Sequence, residues 1–170
     1  MPNYPVAASA KDETIGHAAN TTGVILTAKV VNTLGGLTSY GTALIDTSAI
    51  GTDVISAATF YWYHVLYNKT KAAAYHRRIK IDGLSGLSLL DSSATPAAAG
   101  WHSEVLTSDE IARINKTGDT RIDFIVDDPG GIYDRYWEVQ AWDYGDHSRA
   151  CYLAVTHAAA GGPTKFSILR

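Results

Sequence analysis

Hydrophobic and polar residues alternate along much of this chain, with the two-residue period of strands that bury one face. In the clearest case Ile122, Phe124 and Val126 alternate with Arg121 and Asp123. Strand-like runs of this kind, with turn signals between them, predict an all-β antiparallel β-sandwich or barrel with about eight strands. The predicted strands cover residues 24–31, 40–46, 59–67, 75–81, 101–106, 121–126, 135–142 and 150–156.

One short helix interrupts this pattern near residues 108–115. Thr107 and Glu110 have the spacing of a capping box, in which each side chain binds a free backbone N–H at the helix start. Ile111 and Ile114 are three residues apart, so both face the same side and we expect them to enter the core. Gly118 is the predicted left-handed stop of this segment.

The run 59–67 is the most aromatic strand in the sequence. Its two alternating faces carry Phe60, Trp62, His64 and Leu66 on one side and Tyr61, Tyr63, Val65 and Tyr67 on the other. Because neither face is plainly polar, we expect a central strand that is either covered on both sides or meets a partner through one of them.

The sandwich is predicted to span residues 24–157. Residues 1–23 are polar and turn-rich, which predicts an N-terminal arm or edge strand, and residues 158–170 are interpreted as a flexible C-terminal tail. The Ser-, Ala- and Gly-rich run 84–100 is predicted to be a long loop. The first ten residues lack the charged and apolar regions of a signal peptide, so we expect synthesis in a cytoplasm without secretion.

The composition disfavours several classes of function. The 170 residues carry a net charge of −3, with no basic tail, which disfavours nucleic-acid binding. The densest positive patch, Arg77, Arg78 and Lys80, is interpreted as a solvated strand face. No apolar run is long enough to suggest a membrane span.

Candidate catalytic and metal-binding residues are scattered. The six histidines are His17, His64, His76, His102, His147 and His157, and none is paired at a metal-ligand spacing. Asp127 and Asp128 before Pro-Gly-Gly could bind Ca²⁺, but a plain acidic turn is the favoured interpretation. Glu104 and Glu138 would form a glycosidase pair only if the fold brought them together. The single cysteine, Cys151, is expected to be buried and inert. We therefore predict no catalytic residue, metal or cofactor.

The aromatic residues are the better functional lead. Ten tyrosines and four tryptophans exceed what a sandwich of this size is expected to hide completely. Most should pack between the sheets, but an exposed Trp62, Trp142 or Tyr144 could stack on a sugar ring or anchor a protein interface.

Four segments carry a resemblance to a known family. They are Leu-Ile-Asp-Thr-Ser-Ala-Ile (44–50), Val-Ile-Ser-Ala-Ala-Thr-Phe-Tyr-Trp-Tyr (54–63), Ile-Ala-Arg-Ile-Asn-Lys-Thr-Gly-Asp-Thr-Arg-Ile (111–122) and Ser-Arg-Ala-Cys-Tyr-Leu-Ala-Val-Thr-His (148–157). In this order they resemble the DNRLRE-type β-sandwich, a jelly roll akin to family 6 carbohydrate-binding modules. The family's N-terminal strand has only a loose counterpart at 12–15, and its ligand residues do not map onto this chain.

The resemblance implies a jelly-roll domain of the kind found on surface proteins and in tailed-phage virions. The expected function is that of a non-enzymatic virion structural protein, most specifically a capsid decoration protein that binds capsid or other virion proteins. An aromatic sheet face would close a homo-oligomer, and the arms at 1–23 and 158–170 would become ordered on binding. The alternative is a carbohydrate-binding module or phage fibre domain that binds glycans through exposed aromatics.

Overall fold

The computed structural model describes residues 12–15, 25–31, 37–38, 40–69, 76–83, 85–92, 99–127, 135–140 and 149–170. The twelve strands of this part are β1 (Asp12–Ile15), β2 (Ile25–Val31), β3 (Leu37–Thr38), β4 (Tyr40–Asp46), β5 (Val54–Lys69), β6 (His76–Ile81), β7 (Leu87–Ser92), β8 (Gly100–Val105), β9 (Asp119–Asp127), β10 (Arg135–Gln140), β11 (Tyr152–Ala158) and β12 (Lys165–Leu169). A 3-10 helix (Ser48–Ile50) and the α-helix α1 (Ser108–Ile111) complete the description.

The strands form two antiparallel sheets, which confirms the predicted all-β sandwich. The five-stranded sheet has the order β1-β4-β9-β6-β7. The seven-stranded sheet has the order β12-β11-β5-β10-β2-β3, and β8 joins it by pairing with β5. The long strand β5 therefore organises the second sheet, because β8, β10 and β11 all pair with it.

The core lies between the sheets and is built from the inward residues of both. Its largest fully buried side chains are Phe60, Phe124, Ile45, Ile50, Ile79, Ile81, Ile122 and Leu153. Phe60 packs against Phe124 of the opposite sheet with ring centroids 6.0 Å apart. Cys151 is also buried, as expected from its place in an apolar alternation.

Two expectations about the connections are wrong. The run 84–100, predicted to be a loop, contains strand β7, which pairs with β6. The segment 158–170, predicted to be a flexible tail, contains strand β12, which pairs with β11 through residues 153–157. In both cases a short alternating apolar pattern is present but lies beside Gly-, Ala- or Pro-rich residues, which dominate the composition.

Helix α1 begins as the sequence predicts and ends earlier. The Thr107 backbone N–H donates to Glu110 Oε2 at 2.6 Å, and the Glu110 N–H donates to Thr107 Oγ1 at 3.4 Å, so the capping box is confirmed. Ile114 is buried in the core, and Ile111 packs against it. Gly118, however, has no positive φ, so its predicted left-handed role is wrong.

The turn after β4 and the turn after α1 form one hydrogen-bonded unit. Thr47 is buried, and its Oγ1 lies 2.6 Å from the carbonyl oxygen of Asn115 and 2.8 Å from that of Gly118. The Thr47 backbone N–H also donates to Gly118 O at 3.1 Å. These two turns belong to segments 44–50 and 111–122, so their local sequences are explained by a shared structural role.

The face of the five-stranded sheet that points away from the core carries a buried polar cluster. Asp123 of β9 is 0% exposed, although it points away from the inward residues Ile122 and Phe124. Thr42 of β4 donates from its Oγ1 to Asp123 Oδ1 at 2.6 Å, and Arg121 Nε donates to the two carboxylate oxygens at 3.0 and 3.1 Å. Hydrogen bonds from the Thr42 hydroxyl and the charged Arg121 guanidinium thus satisfy this buried carboxylate.

The basic patch on β6 is only partly a solvated face. Arg77 is buried, which contradicts the expectation for that residue. Arg78 is half-buried, and its Nε lies 3.3 Å from Asp91 Oδ2 of the neighbouring strand β7. The charge of Arg78 is thus paired within the sheet.

Candidate functional site: an exposed sheet face and a buried polar network

Strand β5 separates its aromatic residues onto two faces. Phe60 and Trp62 point into the sandwich, where their rings stack with centroids 5.6 Å apart. Trp62 is buried, which confirms the favoured interpretation that it packs in the core and excludes it as an exposed residue that stacks on a ligand. Tyr61 and Tyr63 point the other way and are half-buried, because successive residues of a strand face opposite sides.

We call the side of the seven-stranded sheet that carries Tyr61 and Tyr63 the outer face. Cross-strand pairing places a residue from β8 and a residue from β11 beside each of several β5 positions. One row across the sheet is Val105, Thr59, Ala154 and Ile168, the next contains Ser103, Tyr61 and Tyr152, and Trp101 pairs with Tyr63. Phe166 pairs with Thr156 at the other end of the same face.

Large apolar side chains on the outer face are strongly exposed. Val105 is 76% exposed, Phe166 67% and Trp101 44%, and Val54 and Ile168 belong to the same set. These five are all of the exposed large hydrophobic residues in the described part of the chain. They come from β5, β8 and β12 and lie on one face of the sheet. Apolar residues concentrated in this way mark an interaction surface more often than single exposed residues do.

The aromatic half of the outer face is a connected cluster of four rings. Tyr61 and Tyr152 stack with centroids 4.7 Å apart and an interplanar angle of 10°. Trp101 stands edge-on to both Tyr152 and Tyr63, at 5.5 and 5.6 Å. Such contacts fix the rings in place, so a partner would meet a surface whose side chains are already ordered.

Two arginines border this aromatic cluster. The guanidinium carbon of Arg149 lies 4.6 Å from the centre of the Tyr63 ring, and that of Arg170 lies 5.5 Å from the centre of Tyr152. Burial raises the pKa of the Tyr152 phenol above its ordinary value, and the neighbouring Tyr61 adds to this effect. Tyr152 is therefore a neutral hydroxyl at physiological pH, able to donate a hydrogen bond.

The outer face offers stacking, apolar contact and hydrogen-bond donors. No acidic side chain lies among its described residues on β5, β8, β11 and β12. Tryptophan, tyrosine and arginine are the residues most enriched at the energetic centres of protein interfaces. The outer face therefore carries residue types that are common in protein interfaces.

A second cluster lies on the inner side of the same sheet, where Asp53, His157 and Ser167 are buried and the exposed Lys165 reaches them from the edge. His157 of β11 lies between Asp53, which precedes β5, and Ser167 of β12. Its Nδ1 is 2.9 Å from Asp53 Oδ2, and its Nε2 is 2.9 Å from Ser167 Oγ. Lys165 Nζ lies 3.0 Å from the same Asp53 oxygen, and Lys116 Nζ donates to the Asp53 carbonyl at 3.0 Å. We call this cluster the buried network.

Charge and hydrogen bonding fix the roles within the buried network. The hydrogen bond from Lys165 and then that from His157 hold the pKa of Asp53 below its ordinary value of 3.8. Asp53 is therefore a carboxylate that can only accept, so His157 Nδ1 donates to it. In the neutral imidazole Nε2 then accepts from the Ser167 hydroxyl, and in the charged form it donates to Ser167 Oγ.

The sequence-predicted residues are mostly not brought together. His64 and His102 lie ring to ring at 5.8 Å, and His157 enters the buried network. Glu104 and Glu138 pair with Phe60 and Leu66, six positions apart on β5, or roughly 20 Å at about 3.3 Å per residue. That separation exceeds the spacing of a glycosidase pair. Further candidates lie outside the described residues or side chains: His17, His76, Asp127, Asp128, Trp142, Tyr144 and His147.

The described residues show neither a metal-binding cluster nor a helix that could cross a membrane. No group of three or more His, Cys, Asp or Glu side chains that could hold a metal ion occurs in the described residues. The helical segments described are a four-residue helix and a three-residue turn, too short to cross a membrane. Comparison of the chain with protein-family models, with curated proteins and with solved structures finds no match.

Proposed function

We propose that this protein is a non-enzymatic virion structural protein, specifically a tailed-phage capsid decoration protein that binds the capsid surface as a homo-oligomer. The exposed outer face of the seven-stranded sheet is the observation that carries the proposal, because it places five large apolar side chains in water on one rigid surface. The resemblance of segments 44–50, 54–63, 111–122 and 148–157 to DNRLRE-type jelly rolls, which occur on surface proteins and in tailed-phage virions, supports the virion setting.

A second copy of the chain is the occupant that best fits the outer face. An apolar surface is complementary to itself, since it requires no opposite charge on its partner, and sheets pack face to face about 10 Å apart. A symmetric contact of this kind repeats each interaction twice around a two-fold axis. The arginines at the aromatic border would then lie at the rim, where charged groups remain hydrated.

The test of self-association compares two matched substitutions by size-exclusion chromatography with light scattering. Wild-type protein should form an oligomer, and Val105→Asp should make it monomeric, because a carboxylate would be placed in an apolar contact. Ala112→Asp adds the same charge at an exposed position away from the outer face and should leave the oligomer intact. A wild-type monomer, or equal behaviour of the two variants, would contradict the proposed contact.

The virion role is tested separately by co-sedimentation with capsid particles. Wild-type protein should sediment with the particles, and Val105→Asp should do so at least tenfold more weakly if the oligomer is the binding form. Absence of the wild-type protein from the particle fraction would remove the assignment to a virion.

The aromatic cluster favours glycan binding as a second candidate function. Trp101 and Tyr152 present ring surfaces of the kind that stack on pyranose sugars, and Arg149 and Arg170 supply donors beside them. A monomeric wild-type protein that is retained on immobilised glycans, and a Trp101→Ala variant that is not, would favour this function over the first.

A further inference from the structure

Strand β12 is the element on which the outer face and the buried network meet. Its residues alternate, so Lys165 and Ser167 reach the buried network while Phe166 and Ile168 are exposed on the outer face. Among the described strands β12 pairs only with β11, which makes it an edge strand. Backbone pairing therefore attaches β12 on one side only, and side-chain contacts, of which the buried Leu169 is one, must supply the rest of its attachment.

The buried network supplies such anchors from three separate parts of the chain. His157 connects Ser167 of β12 to Asp53 of the segment before β5, and Lys165 reaches the same carboxylate directly. Lys116, from the turn after α1, donates to the Asp53 carbonyl. Asp53 is thus held at both its side chain and its backbone. Strand β12 is therefore attached to Asp53, a residue that other hydrogen bonds already hold in place.

The distances within the network also match those of a Ser-His-Asp nucleophile, so the two roles must be distinguished. Ser167 is only 8% exposed and faces the inside of the sandwich. Lys165 shares the Asp53 oxygen that receives His157, which weakens the electrostatic support that a carboxylate would give to a developing imidazolium. Burial and the extra cation favour anchoring over nucleophilic attack.

We propose that the buried network of Asp53, His157, Ser167 and Lys165 positions the outer face, by fastening β12 so that Phe166 and Ile168 are presented in register with β11 and β5. This inference rests on the proposed function, because it makes self-association depend on side chains that lie on the opposite side of the sheet. His157 and Ser167 are positioning residues, and neither touches the partner.

The experiment measures local order and association in the same three variants. Ser167→Ala removes the hydroxyl that links His157 to β12, Ser167→Thr restores a hydroxyl, and Ser56→Ala removes a serine hydroxyl from the same sheet outside the network. We expect hydrogen exchange of peptide 165–169 to be at least tenfold faster in Ser167→Ala, with exchange in β4 and β9 unchanged. Self-association should weaken at least tenfold. Ser167→Thr and Ser56→Ala should both resemble the wild type.

Each alternative outcome has a definite meaning. Unchanged exchange at 165–169 in Ser167→Ala would overturn the anchoring role, and faster exchange with unchanged association would overturn its coupling to the outer face. A fluorophosphonate would label a nucleophilic serine: Oγ bonds to phosphorus, fluoride leaves and His157 takes the hydroxyl proton. Labelling of wild-type Ser167 would therefore show that Ser167 is a nucleophile and not an anchor. A monomeric wild type would reject the proposed function, while the exchange result would still decide whether the network fastens β12.

Discussion

In each sheet, the residues that point away from the core depart from the usual rule that polar side chains are exposed and apolar side chains are buried. On the five-stranded sheet Asp123 and Thr42 are polar yet buried, whereas on the seven-stranded sheet Val105 and Phe166 are apolar yet exposed. The polar pair is satisfied internally, since Thr42 donates to the Asp123 carboxylate. The apolar residues have no comparable cover among the described residues.

This difference shows that an outward position in a strand does not determine how a residue is used. A buried carboxylate is tolerated where hydrogen bonds replace water, so the first face needs no partner to explain it. An exposed apolar side chain loses the favourable transfer from water unless something covers it. A partner is therefore inferred for the outer face of the seven-stranded sheet and not for the five-stranded sheet. Four predictions test this distinction between the two sheets.

The largest effect is expected on strand β5, which has one face in the core and the other on the outer face of the sheet. Phe60→Ala should lower the free energy of unfolding by about 3–5 kcal/mol, because it removes a fully buried ring that packs against Trp62 and Phe124. Tyr61→Ala, one residue along β5, should cost clearly less. Urea unfolding at monomeric concentration measures both. Equal losses would mean that the outer face is a second core rather than a surface.

A matched pair of isoleucines compares the two outer faces directly. Ile125→Ala on the five-stranded sheet should cost about 2–4 kcal/mol of stability, because this residue is buried. Ile168→Ala on the outer face of the seven-stranded sheet should cost less than about 1 kcal/mol, since much of its side chain is already in water. Thermal or urea unfolding of the two variants gives the difference. A reversed order would refute the distinction between the faces.

The buried carboxylate provides the next test. Asp123→Ala should destabilise the protein by about 1–3 kcal/mol, because it leaves the buried Thr42 hydroxyl without its acceptor and deprives the Arg121 guanidinium of its carboxylate partner. Asp91→Ala is the control, since it removes a half-exposed carboxylate paired with Arg78 and should cost no more than about 1 kcal/mol. If the two changes had the same effect, burial of Asp123 would carry no energetic consequence.

The sequence predicts the sandwich well because alternation is a local property. The runs 24–31, 40–46 and 75–81 become β2, β4 and β6 with boundaries shifted by at most one residue. The capping box of α1 is likewise local, since its partners are three residues apart. Strands β7 and β12 escape prediction because their apolar alternation is short and lies beside Gly-, Ala- or Pro-rich residues, which resemble a loop or a tail.

The candidate sites depend on register, which alternation alone does not provide. A shift of one residue exchanges the two faces of a strand, so the sequence could not decide whether Trp62 or Tyr61 is exposed. Trp101 joins the outer face because it pairs with Tyr63, a contact between residues 38 positions apart. Asp53 lies 104 positions from His157, and only the pair His157 and Ser167 is closer in sequence, at 10 positions. The alternation of Lys165, Phe166, Ser167 and Ile168 was the one local signal that could have identified β12.

The smallest effect is expected from acid titration of the buried network. Lys165 and His157 hold the pKa of Asp53 below 3.8, so the folded protein retains the carboxylate more readily than the unfolded chain. Its contribution to stability is therefore complete above about pH 4 and is lost as the pH falls through the lowered folded value. Wild-type protein should lose stability below pH 4 more steeply than Asp53→Asn, as measured by urea unfolding at each half unit of pH. The protection of peptide 165–169 against hydrogen exchange, relative to the intrinsic rate at each pH, should fall in the same acid range, before the protection of β9 falls. Parallel stability curves for the two proteins would show that the carboxylate does not hold β12, and would leave backbone pairing with β11 and the buried Leu169 to present Phe166 and Ile168 on the outer face.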